Sequence, residues 1–369
     1  MAATDTPTLF SPIKIGNIQL QHRIVLAPLT RFRANEHHVH TDLAVEYYAQ
    51  RASTPGTLLI SEGTFIQPQA GGYPHVPGIW NEEQIAAWRK ITDAVHAKGC
   101  FIFMQFWSLG RAALSEVLQQ EGPYDVVSAS AIPIDDKQAT PRPLTVDEIK
   151  EYVQWHAQAA KNAVRAGFDG VEVHSASGYL PDQFLQTTSN QRTDDYGGNV
   201  ENRIRFIAEI IDAIAAAIGP ERTALRLSPW STFQSMRIAD PIPTFSALVK
   251  HFVQYQPRLA YISLVERRVD GPDIIGDHPD ETNDFIRDIW SPRPLIKAGG
   301  FSYDMALQTA DSDKNVLIAM GRYFISNPDL PKRWKHGVAL APYDRQGFYT
   351  RGLVAKGYTD YPMSPDIEL

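Results

Sequence analysis

The chain is poor in cysteine, with Cys100 alone among 369 residues. No internal disulfide is possible, and a reducing, cytoplasmic setting fits. Cys100 opens an apolar run and reads as a core residue rather than a nucleophile. No apolar run reaches the roughly 18 residues a membrane helix needs. The opening Met-Ala-Ala-Thr-Asp lacks the basic and apolar parts of a secretory signal, and the final Asp-Ile-Glu-Leu only faintly resembles a retention signal. Basic stripes are absent too, and net charge is -7, which points away from nucleic acid and anionic membranes as partners. Neither a G-x-G-x-x-G nor a P-loop pattern occurs, so a Rossmann-type dinucleotide site is not supported.

What remains is an ordinary globular composition, 43% hydrophobic and 21% charged. Short apolar, strand-like runs recur at Ile24–Ala27, Thr57–Ile60, Phe101–Met104 and Gly170–Val173, then at Ala224–Leu227, Ala260–Ser263, Pro294–Lys297 and Val316–Ala319. Amphipathic helices separate most of them. Asn81 opens one that Gly99 stops. Thr145 and Glu148 form a capping box, with Leu144 and Ile149 as a hydrophobic staple. Asn199 caps a third helix, closed by Gly219-Pro220, and Thr244 a fourth. Weaker helical segments lie near 41–53, 302–310 and 328–337. Alternation of this kind implies a parallel sheet, and eight repeats imply a (β/α)₈ TIM barrel, with an open doubly wound sheet as the alternative. No composition break divides residues 1–369, so a single domain is expected. Residues 10–20 alternate around Gly16-Asn17 as a small hairpin placed to plug one end of the barrel. The stretches 108–143 and 265–293 exceed ordinary loop length and are expected to extend over the catalytic face.

In such a barrel the chemistry collects at the carboxyl ends of the strands. The stretch Gly170-Val-Glu-Val-His-Ser-Ala-Ser-Gly-Tyr-Leu180 brings His174, Ser177 and Tyr179 to one such end. An imidazole, a hydroxyl and a phenol together suit proton transfer and carbonyl polarisation; a satisfied core histidine beside a buried tyrosine is the plainer reading. Arg226, between Leu225 and Leu227, points inward, where a guanidinium needs an anion. Glu172 or a ligand could supply it. The last two strands end in Gly299-Gly300 and Gly321-Arg322, where barrels often bind phosphate. His37-His38-Val-His40 lacks matching carboxylates or cysteines, so no metal is expected there. Lys297 could form a Schiff base, or face a bound anion. Asp135-Asp136 reads as a solvated turn.

Several ordered motifs carry a resemblance: Ala27-Pro-Leu-Thr-Arg31, Glu46-Tyr-Tyr-Ala-Gln-Arg51, the stretch around His174, Arg192 to Arg203, Gly321-Arg322 and Ile325-Ser-Asn-Pro328. Nearly end to end, the chain resembles the old yellow enzyme family of flavin-dependent ene-reductases, in its fungal branch. The resemblance implies FMN as cofactor and NADPH, sometimes NADH, as hydride donor. Pro28, Thr30, Gly63 and Gln105 would hold the flavin ring, with Arg226 at its pyrimidine edge. Gly300 and Arg322, beside Gly299 and Gly321, would hold the phosphate. Phe348 and Tyr349 would pack at the dimethylbenzene end. Trp107, with Phe233 and Phe285, would shape the substrate pocket beside His174. Tyr179 would donate a proton to the reduced alkene. The family pairs its histidine with a second histidine or an asparagine; here that position is Ser177, a shorter donor. Many fungal relatives carry asparagine where Gly300 stands, a smaller departure.

Three functions follow from the resemblance. The first is NADPH-driven reduction of a small enone or enal, in a fungal secondary-metabolite setting, by a monomer or homodimer. The second is isomerisation, desaturation or another redox step redirected by Ser177. The third is flavin or ligand binding with little turnover.

Overall fold

In the computed structural model, residues 6–367 are described, so the opening Met-Ala-Ala-Thr-Asp and the end of Asp-Ile-Glu-Leu lie outside them. Eight parallel strands form the centre: β1 (Ile24–Leu26), β2 (Leu58–Ile60), β3 (Phe101–Trp107), β4 (Gly170–Ser175), β5 (Thr223–Leu227), β6 (Tyr261–Val265), β7 (Leu295–Ala298) and β8 (Val316–Met320). β8 pairs with β7 and β1, and β2 with β1 and β3, which closes the sheet into a barrel. Seven helices alternate with the strands: α1 (Asp42–Arg51), α2 (Glu82–His96), α3 (Val146–Arg165), α4 (Val200–Ile218), α5 (Ile242–Tyr255), α6 (Asp284–Trp290) and α7 (Tyr303–Ser312). The closed barrel stands where the open sheet was the alternative.

Local chemistry sets the helix starts. Asn81 accepts from the Gln84 amide and Thr145 from the Glu148 amide, and both form full capping boxes. Asn199 accepts from the Asn202 amide, and Gly219 at φ +93° ends α4 in a conformation other residues rarely adopt. The α4 face of Ile204, Ile207, Ile211 and Ile214 is buried. Thr244 does not cap α5. That helix begins at Ile242, behind Pro241, and Pro243 fits its first turn because the amide it lacks would have no partner there. The Thr244 hydroxyl accepts from Arg203 at 2.7 Å instead.

The N-terminal hairpin pairs Ile13–Ile15 with Ile18–Leu20. Its isoleucines pack with Val25, Leu58, Phe103, Ala260 and Leu317, and so plug the amino end of the barrel. At the turn, Gly16 has φ +51°, and a Cβ there would lie 2.0 Å from the Glu221 carbonyl oxygen. The opposite, carboxyl end of the barrel stays open. Stretch 108–143 holds a short helix, Ser115–Glu121, and a paired segment at Val127–Ser128. Stretch 265–293 holds the small hairpin Val269–Asp270/Asp273–Ile274 and then α6.

Three expectations resolve outside the barrel mouth. Cys100 is buried, its thiol against the Ala52 and Thr54 carbonyls. His38 spends its ring nitrogens on the Val76 carbonyl and Glu121, His40 lies against Glu62, and His37 is exposed, so the three do not converge. The Asp135 carboxylate caps a turn at Lys137 and Gln138. No described helix is long and apolar enough to cross a membrane.

Candidate active site

Strand register assembles the floor of the open end. Gln105, Glu172 and Ala224 stand abreast across β3, β4 and β5. One pleat further on, His174, Arg226 and Ser263 stand abreast across β4, β5 and β6. Above them is a cavity of about 670 Å³. Its wall includes His174, Ser177, Tyr179, Trp107, Phe233 and Arg226. Pro28 and Thr30 line it from the loop after β1, Gly299 and Gly300 from β7, Gly321 and Arg322 from β8, and Phe348 and Tyr349 from the C-terminal tail.

Three predicted residues stand elsewhere. Gln105 lies one layer down, donating to Glu172 at 2.7 Å. Gly63 lies behind Trp107, where a Cβ would meet the indole at 2.7 Å, so the absent side chain is what lets that ring sit there. Phe285 does not reach the cavity. It belongs to α6, outside the barrel, and packs edge-on against Trp230 at 6.3 Å.

The Arg226 question also resolves. Glu172 is engaged by Gln105, and no carboxylate forms an ion pair with Arg226 among the described residues. The nearest side-chain partner of Arg226 is the Ser263 hydroxyl, at 3.5 Å. A guanidinium so placed favours an anion in the cavity. Lys297, by contrast, pairs with Glu266 at 3.2 Å.

Around His174 the rings are tightly arranged. The Tyr179 ring stands edge-on to Trp107 and to His174, each at 4.9 Å, and His174 lies nearly parallel to Trp107 at 6.4 Å. Burial, reinforced by the charge of Arg226, holds the His174 imidazole well below its usual range, so the ring is neutral. Burial also raises the Tyr179 phenol, aided by Tyr73 and Tyr349, so it keeps its proton. Both groups are therefore present as neutral hydrogen donors.

The turn that carries them is left-handed at Ser177 (φ +57°) and Gly178 (φ +78°). Ser177 adopts that conformation without being glycine, at a cost on the order of 1 kcal/mol. Hydrogen bonds hold it. The Ser177 amide donates to the Ser228 hydroxyl at 2.7 Å, and the Gly178 amide to Asp182 at 2.9 Å. The Gln183 amide donates to the Gly178 carbonyl at 2.7 Å.

The tail is fastened by the first motif. Arg31 donates to the Phe348 carbonyl at 3.2 Å and the Gly357 carbonyl at 2.6 Å. Arg33 donates to Val354 at 2.8 Å and Lys356 at 3.2 Å. Tyr47 of the second motif stacks on Tyr358 at 4.2 Å, and Arg51 lies over the Tyr47 ring at 3.6 Å. These residues fix the position of Phe348 without touching the cavity themselves.

The family described as NADH:flavin oxidoreductase / NADH oxidase matches residues 8–341. The chain belongs to this family, that of the old yellow enzymes. It is 48% identical over 363 residues to chanoclavine-I aldehyde reductase fgaOx3 of Penicillium roqueforti, covering 98% of this chain and 97% of the relative. It is 47% identical to NADP-dependent oxidoreductase lnbE of Aspergillus flavus, covering 96% of each. Other relatives at 45–46% identity carry the words "probable inactive" in their names. Among solved structures, Old Yellow Enzyme from Pichia sp. superposes with a TM-score of 0.91 at 39% identity, covering 99% of this chain and 96% of the other.

The cavity of this old yellow enzyme fits the family's FMN. Arg226 meets a carboxylate only through space, at Glu172, with no direct ion pair among the described residues, and Trp107 Nε1 and His174 Nδ1 are buried with no partner among the described residues. At the phosphate end, Gly299 (φ +121°) and Gly300 (φ +66°) turn the backbone through left-handed conformations beside Arg322. A planar, anionic, phosphate-bearing group would satisfy this set. Arg268, which backs this end without lining the cavity, was not legible from the sequence. It lies over the Phe301 ring at 4.4 Å and donates to the Gly299 carbonyl at 2.9 Å, contacts set by a loop without regular pattern.

Proposed function

We propose that this enzyme uses FMN and NADPH to reduce the C=C bond of a small α,β-unsaturated aldehyde or ketone. The observation that carries the reading is the pair of neutral donors, His174 and Tyr179, at one wall of a cavity with an unpaired guanidinium in its floor.

FMN, when bound, takes a hydride from NADPH and supplies one to the alkene β-carbon. Pro28 and Thr30 would hold its ring from the cavity wall, with Gln105 one layer beneath and Gly63 behind Trp107 backing the site. Arg226 would offer positive charge to a ring that gains electron density. Gly299, Gly300, Gly321 and Arg322 would hold the phosphate, and Phe348 and Tyr349 would close the far end. Trp107 and Phe233 shape the space for substrate. His174 donates a hydrogen bond to the substrate carbonyl oxygen and so draws charge toward it. Tyr179 Oη delivers the proton to the α-carbon. A phenol with a raised pKa parts with its proton only to a strong base, which the α-carbon becomes as hydride arrives. Ser177 brings a further hydroxyl to the pocket beside Tyr179, and no side-chain hydrogen bond from it is formed among the described residues. A role in fungal secondary metabolism is supported by relatives named as chanoclavine-I aldehyde reductases.

One observation favours a second reading. Ser177 is shorter than the asparagine or histidine the family carries, which suits isomerisation or another redox step if carbonyl polarisation is weak. Tyr179→Phe separates the two. It is expected to slow enone reduction by about 10²-fold or more while leaving flavin reduction by NADPH intact. Equal loss of both steps would exclude Tyr179 as the proton donor, and flavin reduction without turnover of any enone in the unaltered protein would favour the second reading.

A further inference from the structure

The protein carries a net charge of -7, yet its cavity is lined by four arginines, Arg226, Arg322, Arg345 and Arg351, and by no aspartate or glutamate. Two of the four belong to the floor and the phosphate end already described. The other two do not. Arg345 and Arg351 flank Phe348-Tyr349 on the C-terminal tail and are exposed at the mouth. Arg345 is held by Asp273 at 2.6 Å and by the Pro272 carbonyl at 3.0 Å. Arg351 forms no ion pair among the described residues. Its guanidinium lies 5.7 Å over the Phe32 ring, and Phe32 in turn packs edge-on against Tyr73 and Tyr349 at 6.2 and 6.1 Å. The cation is thus seated on an aromatic platform beside the opening, with its donors directed to no protein carboxylate.

A neutral enone gives such a pair nothing to bind. With a flavin in the same cavity of about 670 Å³, a nicotinamide dinucleotide that lays its ring on the flavin has the rest of its length to accommodate toward the mouth. We infer that Arg351, with Arg345, is a clamp for the phosphates of the nicotinamide dinucleotide, and so serves the hydride donor rather than the alkene. The inference rests on the reading above that a nicotinamide nucleotide enters this cavity. Field focusing by Arg351 and Arg322, which form no ion pair among the described residues, also draws the polyanion in, and salt screens that attraction.

The test is calorimetric titration of the FMN-loaded protein with tetrahydroNADP and tetrahydroNAD, which cannot transfer hydride, and with 2-cyclohexenone as the neutral probe. Arg351→Gln is expected to weaken nucleotide binding on the order of tenfold, Arg351→Lys to restore most of it, and 2-cyclohexenone binding to stay the same. Loss confined to tetrahydroNADP assigns the 2′-phosphate, and loss for both nucleotides assigns the pyrophosphate. Unchanged nucleotide affinity in both Arg351→Gln and Arg345→Gln overturns the clamp, as does equal weakening for 2-cyclohexenone, or no nucleotide binding by the unaltered protein. Should the nucleotides bind through Arg351 while NADPH fails to reduce the flavin, the clamp stands and the proposed reaction falls.

Discussion

The side-chain amide of Gln234 donates to the backbone carbonyl of Ser177 at 3.0 Å. Its Oε1 is buried without a partner, and the Gln234 amide lies near enough to the Tyr179 phenol to offset a little of the upward shift that burial imposes. One amide therefore touches the turn that sets Ser177 and faces the group that holds the proton. Arg111 grips the same segment from beneath, donating to the Gln234 carbonyl at 2.9 Å.

Gln234→Leu removes the grip on Ser177 and the amide beside Tyr179 together. The expected result is an enone step slowed by about tenfold, with flavin reduction by NADPH nearly unchanged. Rapid-mixing kinetics of the two half-reactions checks this. A uniform fall in both would mean that Gln234 only supports the fold.

Ser177→Asn restores the longer donor, and the backbone is ready for it. Asparagine is among the residues that adopt a φ near +57° most readily. Stability should change by less than about 0.5 kcal/mol. Turnover of 2-cyclohexenone should rise, by up to about 10²-fold if a missing oxyanion donor is the limitation. A lower rate would show a pocket shaped around the serine.

The pH dependence follows from the two shifted groups. An ordinary histidine gains its charge as pH falls through about 6.5. The His174 pKa is depressed well below that, so its neutral form persists. The Tyr179 pKa is raised, so its proton persists on the alkaline side. The rate of the enone step should therefore be flat between about pH 6 and pH 9. An inflection near 6.5 in the prereduced enzyme, absent in His174→Asn, would show that the imidazole titrates normally.

Gly63→Ala places a methyl group where the Trp107 ring now lies, 2.7 Å from it. Because Phe65, Tyr73 and Tyr179 pack around that indole, it has little room to retreat. A loss of ~1–3 kcal/mol of stability is expected, with weaker substrate binding, measurable by thermal unfolding and by the KM for the enone. An unshifted melting temperature would show that the indole moves freely.

The barrel was legible because each apolar run is short and bounded by capped, amphipathic helices. Asn81, Thr145 and Asn199 act as their side-chain chemistry dictates. α6 was not legible, since seven residues give only two turns of periodicity. Thr244 was misread because Pro241 and Pro243 move the helix start ahead of it. His174 and Arg226 could be placed from strand alternation, and Ser177 and Tyr179 only as lying just beyond the end of the same strand. Gln234 could not. Its position depends on left-handed backbone at Gln234, Ser235 and Arg237, where no glycine signals a turn. Phe285 was drawn toward the pocket by resemblance, but it sits at the start of α6, half-buried against the core and Trp230 and away from the cavity.

The strap formed by Arg31 and Arg33 around residues 348–357 joins the two ends of the chain at the cavity. During synthesis, both arginines emerge early and must wait for their carbonyl partners until the chain is almost complete. The wall that includes Phe348 and Tyr349 is therefore the last part to be built, after the barrel has closed. A chain terminated shortly before residue 348 would keep every barrel strand and still lack one side of its ligand chamber, leaving Arg31 and Arg33 without the tail carbonyls that accept from them. Cofactor loading in such a protein is a late event in its biogenesis, and premature stop codons near the end of the message would be far more damaging than their position suggests.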